Sequence, residues 1–359
     1  MWTNNKVTNK RGDNTLLARP GQYLQDHLQW TAKRTQEIWD MVYLPRLYFA
    51  TIDKQILRGI STQIALVHDL GKVTRYFQDR VINIESENYY HTQLSSVVVF
   101  YEVLEYLADY PEDVRYTLSY IASIIVKKHH LGLINLEGDW QLTREEIVMI
   151  QKQVQDIDVI ELDYLVSKLD GLYMPFTLDQ LREWCNAIQT DLVKGVKALN
   201  NKSYLDPTTI DYWDTKFIPK LLFSVLVESD IRAAHKTDKN LQRTDDILIT
   251  DMFLLDILYK RDELRMQRGY IPRIIYLQPA LNTVKHGTMV IDDGRAKHWN
   301  SEIILTTPDT FTSVLFPQSR LEYRKFWTIP GSIVVTNHLS TVDWLEEYLT
   351  EKFGCVFVQ

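Results

Sequence analysis

Apolar residues recur at intervals of three and four along most of the chain up to residue 268, which is the spacing of amphipathic helices. Leu94, Val97, Val98 and Leu104 follow this spacing in one of the clearest segments. The pattern predicts an all-α region over residues 21–268. The helices expected in it span 21–48, 54–70, 73–80, 91–109, 112–129, 143–155, 177–198, 215–236 and 249–268.

The pattern changes after Gly269, where short runs rich in β-branched residues alternate with loops. These runs are PRIIYLQP, TMVIDD, SEIILTT, GSIVVTN and GCVFVQ, and one clear helix, STVDWLEEYLTEK, lies among them. A chain of 359 residues is long for a single hydrophobic core. We therefore expect a mainly α protein with a helical domain over 1–248, a linking helix over 249–268 and a small α/β domain over 269–359.

Net charge, apolar runs and cysteine content exclude several classes of protein. The net charge of −7 argues against a protein that coats nucleic acid non-specifically, although a local basic path stays possible. No run approaches the roughly 18 apolar residues of a membrane span, and the polar start resembles no secretion signal, so we expect a cytoplasmic protein without membrane contact. Cys185 and Cys355 are far apart, which indicates neither a disulfide framework nor a zinc-thiolate site.

Residues that commonly bind metals form an ordered series in the helical region. The series contains five imidazoles and two carboxylates: His27, His68, Asp69, His91, His129, His130 and Asp230. This donor set suits two divalent ions if one carboxylate bridges them and water fills the remaining positions. The series predicts a dinuclear metal phosphohydrolase.

The His68-Asp69 pair has the most informative surroundings. It ends the apolar helix QILRGISTQIALV and is followed by Leu70-Gly71-Lys72. We expect the glycine to let the backbone turn and Lys72 to face a bound anion. Ligands at a helix end can converge on one point, which favours a metal site over a helix-end polar pair.

The other members of the series have ordinary structural alternatives. His27 could be a buried structural histidine beside an apolar stripe, and His91 could simply begin its helix. The His129-His130 pair could make a favourable charge–dipole contact at a helix C-terminus. Asp230 lies in the apolar helix IPKLLFSVLVESDIRAAH, where a carboxylate is costly unless it is paired or binds a metal. Glu228 and Asp238 are its nearby rivals.

Five segments resemble the HD-domain nuclease of type I CRISPR interference. They are ARPGQYLQDHL, VHDLGKVTRYFQ, YYHTQLSS, KKHHLGL and LLFSVLVESDIRAAH, spread over roughly residues 18 to 236. The resemblance implies one metal held by His27, His68, Asp69 and Asp230, and a second held by Asp69, His91, His129 and His130. It also implies that Lys72 contacts the scissile phosphate as a catalytic residue with Asp69, and that Gln78 has a structural use.

The C-terminal part departs from the family pattern. The segments PRIIYLQP, SEIILTTPDTF and PGSIVVTNHL weakly resemble a first RecA-like helicase domain. No GxxxxGK[ST] motif occurs, and Thr336-Asn337 stands where a helicase has the Asp-Glu that holds magnesium. We expect either a helicase remnant that cannot hydrolyse ATP or an unrelated α/β docking module.

The expected activity is hydrolysis of single-stranded or unwound DNA by two divalent ions, without a protein nucleophile. Imidazole-rich ligation favours manganese, iron, cobalt or nickel, with magnesium possible. The resemblance implies a CRISPR surveillance complex with its guide RNA and a separate helicase as partners. Two alternatives stay open: a phosphohydrolase of nucleotides or cyclic nucleotides, and a non-catalytic adaptor subunit of a CRISPR effector complex.

Overall fold

The described part of the chain is mainly α-helical, as the apolar pattern predicted. The computed structural model describes residues 16–42, 53–82, 90–133, 142–201, 214–235, 260–267, 272–277, 289–292, 299, 303–336 and 343–358. None of its described helices is long and apolar enough to span a membrane.

Nine helices are described before residue 240. They are α1 (Leu24–Met41), α2 (Lys54–Val67), α3 (Arg75–Val81), α4 (His91–Tyr106), α5 (Glu112–Lys128), α6 (Arg144–Gln155), α7 (Val159–Lys168), α8 (Leu178–Asn201) and α9 (Asp214–His235). Most bounds fall within three residues of the predicted ones. Of the predicted helix over 249–268, residues 260–267 are described and are helical (α10), and the rest lies outside the described residues.

Three features of this helical region differ from the prediction. The helix predicted over 21–48 begins at Leu24, because Gln22–Tyr23 form a strand, and it ends at Met41; residues 43–48 lie outside the described residues. The helix predicted over 54–70 ends at Val67, and a 3-10 turn over Leu70–Val73 follows it. Helix α7 was not predicted. Asp158 caps it, because its carboxylate accepts hydrogen bonds from the backbone N–H groups of Ile160 and Glu161.

The chain forms two compact units. The first contains the described residues of Met1–Trp30, Gln63–Lys127 and Trp140–Ala198. Its central helix is α4, in which every residue from Thr92 to Leu104 is buried. A helix that is buried on all sides needs apolar or small residues on every face, and VVVF supplies them. The short strands β1 (Leu17–Arg19) and β2 (Gln22–Tyr23) also belong to this unit and pair antiparallel.

The second unit contains the described residues of Thr31–Thr62, Lys128–Asp139 and Leu199–Gln359. Its five-stranded sheet is built from β3 (Ile274–Leu277), β4 (Met289–Asp292), β5 (Ile303–Thr306), β6 (Ile333–Thr336) and β7 (Val356–Val358). The strand order is β4-β5-β3-β6-β7, and all the pairings are parallel. Strands β5 and β6 are buried along their whole length, as expected for the inner strands of a parallel sheet.

Helices α11 (Pro308–Leu315), α12 (Arg320–Phe326) and α13 (Asp343–Phe353) accompany the sheet. Leu264 of α10 packs in one apolar cluster with Ile274, Ile303 and Ile333 of three strands. The predicted strands and the predicted C-terminal helix are therefore confirmed where they are described. The domain boundaries predicted at residues 248 and 269 lie outside the described residues, so that division stays a prediction.

Candidate metal centre

The end of α2 delivers two of the expected ligands to the protein interior. The helix is buried from Ile60 onwards, and His68 and Asp69 follow its last turn with 0% and 1% of their surface exposed. The Nδ1 atom of His68 lies 2.8 Å from the carbonyl oxygen of Ala65. Because a carbonyl oxygen only accepts hydrogen bonds, Nδ1 carries the proton and Nε2 presents its lone pair, as in a metal-ligating histidine.

The carboxylate of Asp69 is the centre of a cluster in the first unit. Its Oδ2 atom lies 3.1 Å from Nε2 of His27 and 3.5 Å from Nε2 of His68. Its Oδ1 atom lies 2.9 Å from Nε2 of His91. Imidazoles therefore approach both carboxylate oxygens, which is the arrangement that a bridging ligand needs.

The pairing of His68 with Asp69 favours a cation at this point. A lone pair on Nε2 that faces a carboxylate oxygen is repulsive unless a proton or a metal ion lies between the two atoms. A divalent ion satisfies both groups, and imidazole nitrogen with carboxylate oxygen is an ordinary donor set for transition metals. The residues of this cluster thus fit a metal ion chemically.

Lys72 contacts the same carboxylate. Its ammonium group lies 2.6 Å from Oδ2 of Asp69 and 5.3 Å from the ring centre of Phe77. The 3-10 turn places it there, because the N–H of Lys72 donates to the carbonyl oxygen of Asp69. Lys72 therefore supplies a positive charge beside the cluster of histidines.

Gly71 acts differently from the sequence prediction. It does not adopt a positive φ, so the turn itself does not require glycine. A Cβ atom at this position would instead overlap the backbone carbonyl of His91. The N–H of Gly71 donates to Oγ of Ser95, and that hydroxyl donates to the same carbonyl of His91. The missing side chain lets the turn pack directly against the start of α4.

Gln78 connects the 3-10 turn to the N-terminal hairpin. Its Nε2 donates to the carbonyl oxygens of Leu17 and Lys72, at 3.0 and 2.6 Å. Its Oε1 accepts from the N–H of Leu17 at 2.9 Å. These hydrogen bonds fix the backbone that carries Lys72.

The other residues of the predicted series are His129, His130 and Asp230, which belong to the second unit. His129 and His130 lie just past α5, with their ring centres 3.9 Å apart; His129 is buried and His130 is exposed. Asp230 lies on α9 with 7% of its surface exposed. Its Oδ2 accepts a hydrogen bond from Arg320 at 2.8 Å.

Glu228, the rival of Asp230, has a different environment. It is fully buried, and its two oxygens accept from Nε of Arg232 at 2.7 Å and from Nε of Arg324 at 2.8 Å. Two guanidinium groups make it part of a structural ion-pair network. The other rival, Asp238, lies outside the described residues.

Among the described residues, two groups of side chains could each hold a metal ion. Asp69 belongs to both groups, with His27 and His68 in one and His91 in the other. In the second unit, the members of these groups are Asp230, His129 and His130. The groups contain all seven residues of the predicted series, whereas Glu228 is in neither.

Arg320, which contacts Asp230, and Arg324, which contacts Glu228, were not identified from the sequence. They lie about 90 residues beyond Asp230, in a segment that resembles a helicase remnant. Nothing in the local pattern of that segment connects it with a metal site, because the contact depends on how α12 packs against α9.

Solved structures from CRISPR systems are similar to this chain. A CRISPR-associated Cas3 HD domain protein from Methanocaldococcus jannaschii is 16% identical with a TM-score of 0.38, over 60% of this chain and 98% of its own. A Cas3-AMPPNP structure from T. fusca is 13% identical with a TM-score of 0.43, over 94% of this chain and 48% of its own. A structure of a CRISPR-associated protein is 11% identical with a TM-score of 0.42, over 98% of this chain and 50% of its own.

These matches name the same family as the resemblance in the sequence, and this chain spans about half the length of the last two. No protein-family model and no curated protein matches the chain. Because the TM-scores lie below 0.5, the functional argument rests on the residues of the site.

Proposed function

We propose that this chain is a metal-dependent nuclease that cleaves single-stranded or unwound DNA in type I CRISPR interference. The observation that carries the proposal is the buried Asp69 carboxylate, which imidazole nitrogens approach at both oxygens. Imidazole nitrogen and carboxylate oxygen are an ordinary donor set for transition metals, and three imidazoles that converge on one buried carboxylate supply it.

The proposed ligands follow the two metal-capable groups. His27, His68, Asp69 and Asp230 hold one ion, and Asp69, His91, His129 and His130 hold the second. Asp69 would serve both ions, because it belongs to both groups. Imidazole-rich ligation favours manganese, iron, cobalt or nickel, and magnesium is possible.

The chemistry follows from these positions. When bound, the pair of ions would supply an activated water and neutralise the charge that develops on the phosphate. Ala65 holds His68 in the tautomer whose Nε2 can bind a metal. Lys72 stands beside Asp69, where its ammonium can contact the scissile phosphate. No protein nucleophile is needed.

The proposed partners are single-stranded DNA, a surveillance complex with its guide RNA, and a separate helicase that supplies the unwound strand. The resemblance in the sequence supports this context. The given sequence contains no GxxxxGK[ST] motif. We propose that the protein acts in the cytoplasm.

A cleavage assay tests the proposal. Purified protein is incubated with single-stranded DNA and manganese, and metal content is measured by elemental analysis in parallel. We expect the wild-type protein to bind two metal equivalents per chain and to cleave the DNA. His68→Ala and Asp69→Ala should both lose bound metal and cleavage. Asp191→Ala is the control, because Asp191 bonds Lys194 and Tyr101 and is outside both metal-capable groups.

Three outcomes would overturn the proposal. Inactivity of the metal-loaded wild-type protein on single-stranded DNA would exclude the nuclease. Hydrolysis of nucleotides or cyclic nucleotides with intact DNA would favour the phosphohydrolase alternative. A chain that binds no metal would favour the adaptor.

A further inference from the structure

A side chain from the C-terminal part of the chain contacts one of the proposed ligands. Nη2 of Arg320 lies 2.8 Å from Oδ2 of Asp230, and 29% of the Arg320 side chain is exposed. We propose that Arg320 is a positioning residue for Asp230, so that α12 is part of the metal centre. This inference rests on the proposed function.

The packing of α12 on α9 explains why Arg320 reaches Asp230. Ser224 of α9 donates its hydroxyl proton to the carbonyl oxygen of Tyr323 and accepts from the N–H of Trp327. The ring of Tyr323 packs edge-on against Phe223, and its hydroxyl donates to the carbonyl oxygen of Leu133. These buried contacts fix the short helix on α9.

The start of α12 is also fixed locally. The hydroxyl of Ser319 accepts from the N–H of Glu322, and the carboxylate of Glu322 accepts from the N–H of Ser319, which is a capping box. Arg320 is the first residue after this cap. Its side chain therefore leaves from a backbone that is held by both the cap and α9.

The same two helices provide a comparison within the structure. Arg324, one turn after Arg320, pairs with Glu228, two residues before Asp230. Glu228 belongs to neither metal-capable group, and Asp230 belongs to one. One arginine of α12 therefore fixes the packing of the helices, and the other faces a proposed ligand.

A hydrogen bond to a metal-binding carboxylate has a defined effect. A carboxylate can bind an ion through one oxygen while the other accepts a hydrogen bond that fixes its orientation. Loss of such a partner typically weakens metal affinity or activity by about 10- to 100-fold. Arginine suits this position because its charge is permanent and its planar group holds a fixed direction.

A contact between Arg320 and a metal ligand would give the C-terminal part a role in the metal centre. Residues 303–336 would support the nuclease directly, whether or not they descend from a helicase. A substitution in α12 should then alter metal binding, which neither a docking module nor an inert remnant predicts.

Manganese titration of Arg320→Ala and Arg324→Ala tests this inference. We expect Arg320→Ala to weaken the binding of one manganese ion by about 10- to 100-fold, with a smaller loss of thermal stability than in Arg324→Ala. Arg324→Ala should be less stable and should still bind both ions with unchanged affinity. Arg320→Lys should restore part of the affinity, because it keeps the charge without the fixed geometry.

The outcomes separate this inference from the proposed function. If the wild-type chain binds two ions and Arg320→Ala binds them equally well, the inference is wrong and the proposed function stands. Equal loss of metal affinity in both arginine variants would mean that α12 acts only through packing, and would also overturn it. A wild-type chain that binds no manganese would overturn both.

Discussion

Two buried carboxylates of this protein have opposite kinds of neighbours. Asp69 is approached by three histidines and one lysine, whereas Glu228 lies between two arginines. Both are shielded from solvent, with 1% and 0% of their surface exposed. Burial alone therefore does not distinguish a ligand from a structural ion pair.

The partners of the two carboxylates differ in whether they carry a permanent positive charge. Arginine is always charged, so Glu228 is neutralised without any bound ion. Imidazoles are largely neutral near pH 7 and offer lone pairs, so a group of them around Asp69 is suited to an added cation. For Asp69 and Glu228, the neighbours rather than the degree of burial separate the proposed ligand from the structural ion pair.

Changing each carboxylate to its amide in metal-free protein tests this comparison most strongly. Glu228→Gln should lower the free energy of unfolding by about 3–5 kcal/mol, because it leaves two guanidinium groups without a buried charge partner. Asp69→Asn should cost clearly less, since its imidazoles can stay neutral and Lys72 can turn its ammonium toward solvent. Urea unfolding in the presence of EDTA, followed by circular dichroism, measures both.

Metal binding by the same two variants should show the reverse order. Asp69→Asn should lose both ions, and the folded fraction of Glu228→Gln should keep them. Equal destabilisation by the two changes, or loss of metal from Glu228→Gln, would mean that the two carboxylates do not differ as proposed.

Glu102 provides a third buried carboxylate, without a charged partner of opposite sign among the described contacts. Burial raises its pKa from the ordinary 4.5 to about 8, while a hydrogen bond from the N–H of Met174 partly opposes that rise. Below pH 4.5 both the folded and the unfolded chain carry the proton. Between pH 4.5 and 8 only the unfolded chain loses it, so the free energy of unfolding should decrease over this window.

Glu102→Gln should remove this pH dependence. The wild-type protein should lose on the order of 3 kcal/mol relative to the variant as pH rises from 4.5 to 7. Urea unfolding at several pH values measures the difference. Glu183→Gln, at an exposed position of α8, is the control. An identical pH profile for wild-type protein and Glu102→Gln would contradict the raised pKa.

The smallest expected effect concerns the support of the Asp69 cluster. Gln78→Ala removes the hydrogen bonds to Leu17 and to the carbonyl oxygen of Lys72, which should cost about 1–2 kcal/mol. Hydrogen exchange should become faster at Leu17 and in the 3-10 turn, while the centre of α4 stays protected. Gln180→Ala, which removes only a local bond to Thr177, should leave the turn unchanged.

Much of the fold could be predicted because local patterns determine it. The helical spacing located most helices, and the β-branched runs located the strands. Helix α7 was missed although Asp158 is a good cap, because the apolar run VIELDYLV is short.

The members of the candidate site could be named from the sequence because histidine and aspartate are chemically distinctive, and their role as ligands stays a prediction. The order of histidines and aspartates identified the members of both metal-capable groups. The role of Gly71 and the contact of Arg320 with Asp230 were not predictable, since both depend on which backbone or helix packs nearby. Tertiary contacts of this kind leave no periodic signal in the sequence.

The absence of a side chain at position 71 has a consequence for attempts to redesign this protein. Direct backbone packing sets how far the start of α4 stands from the turn after α2, so the spacing between His68 and His91 is held by main-chain atoms. Repacking of nearby side chains would leave that spacing intact. An engineer who wished to fit larger ions, or ions further apart, would have to begin with Gly71→Ala and accept a displaced helix.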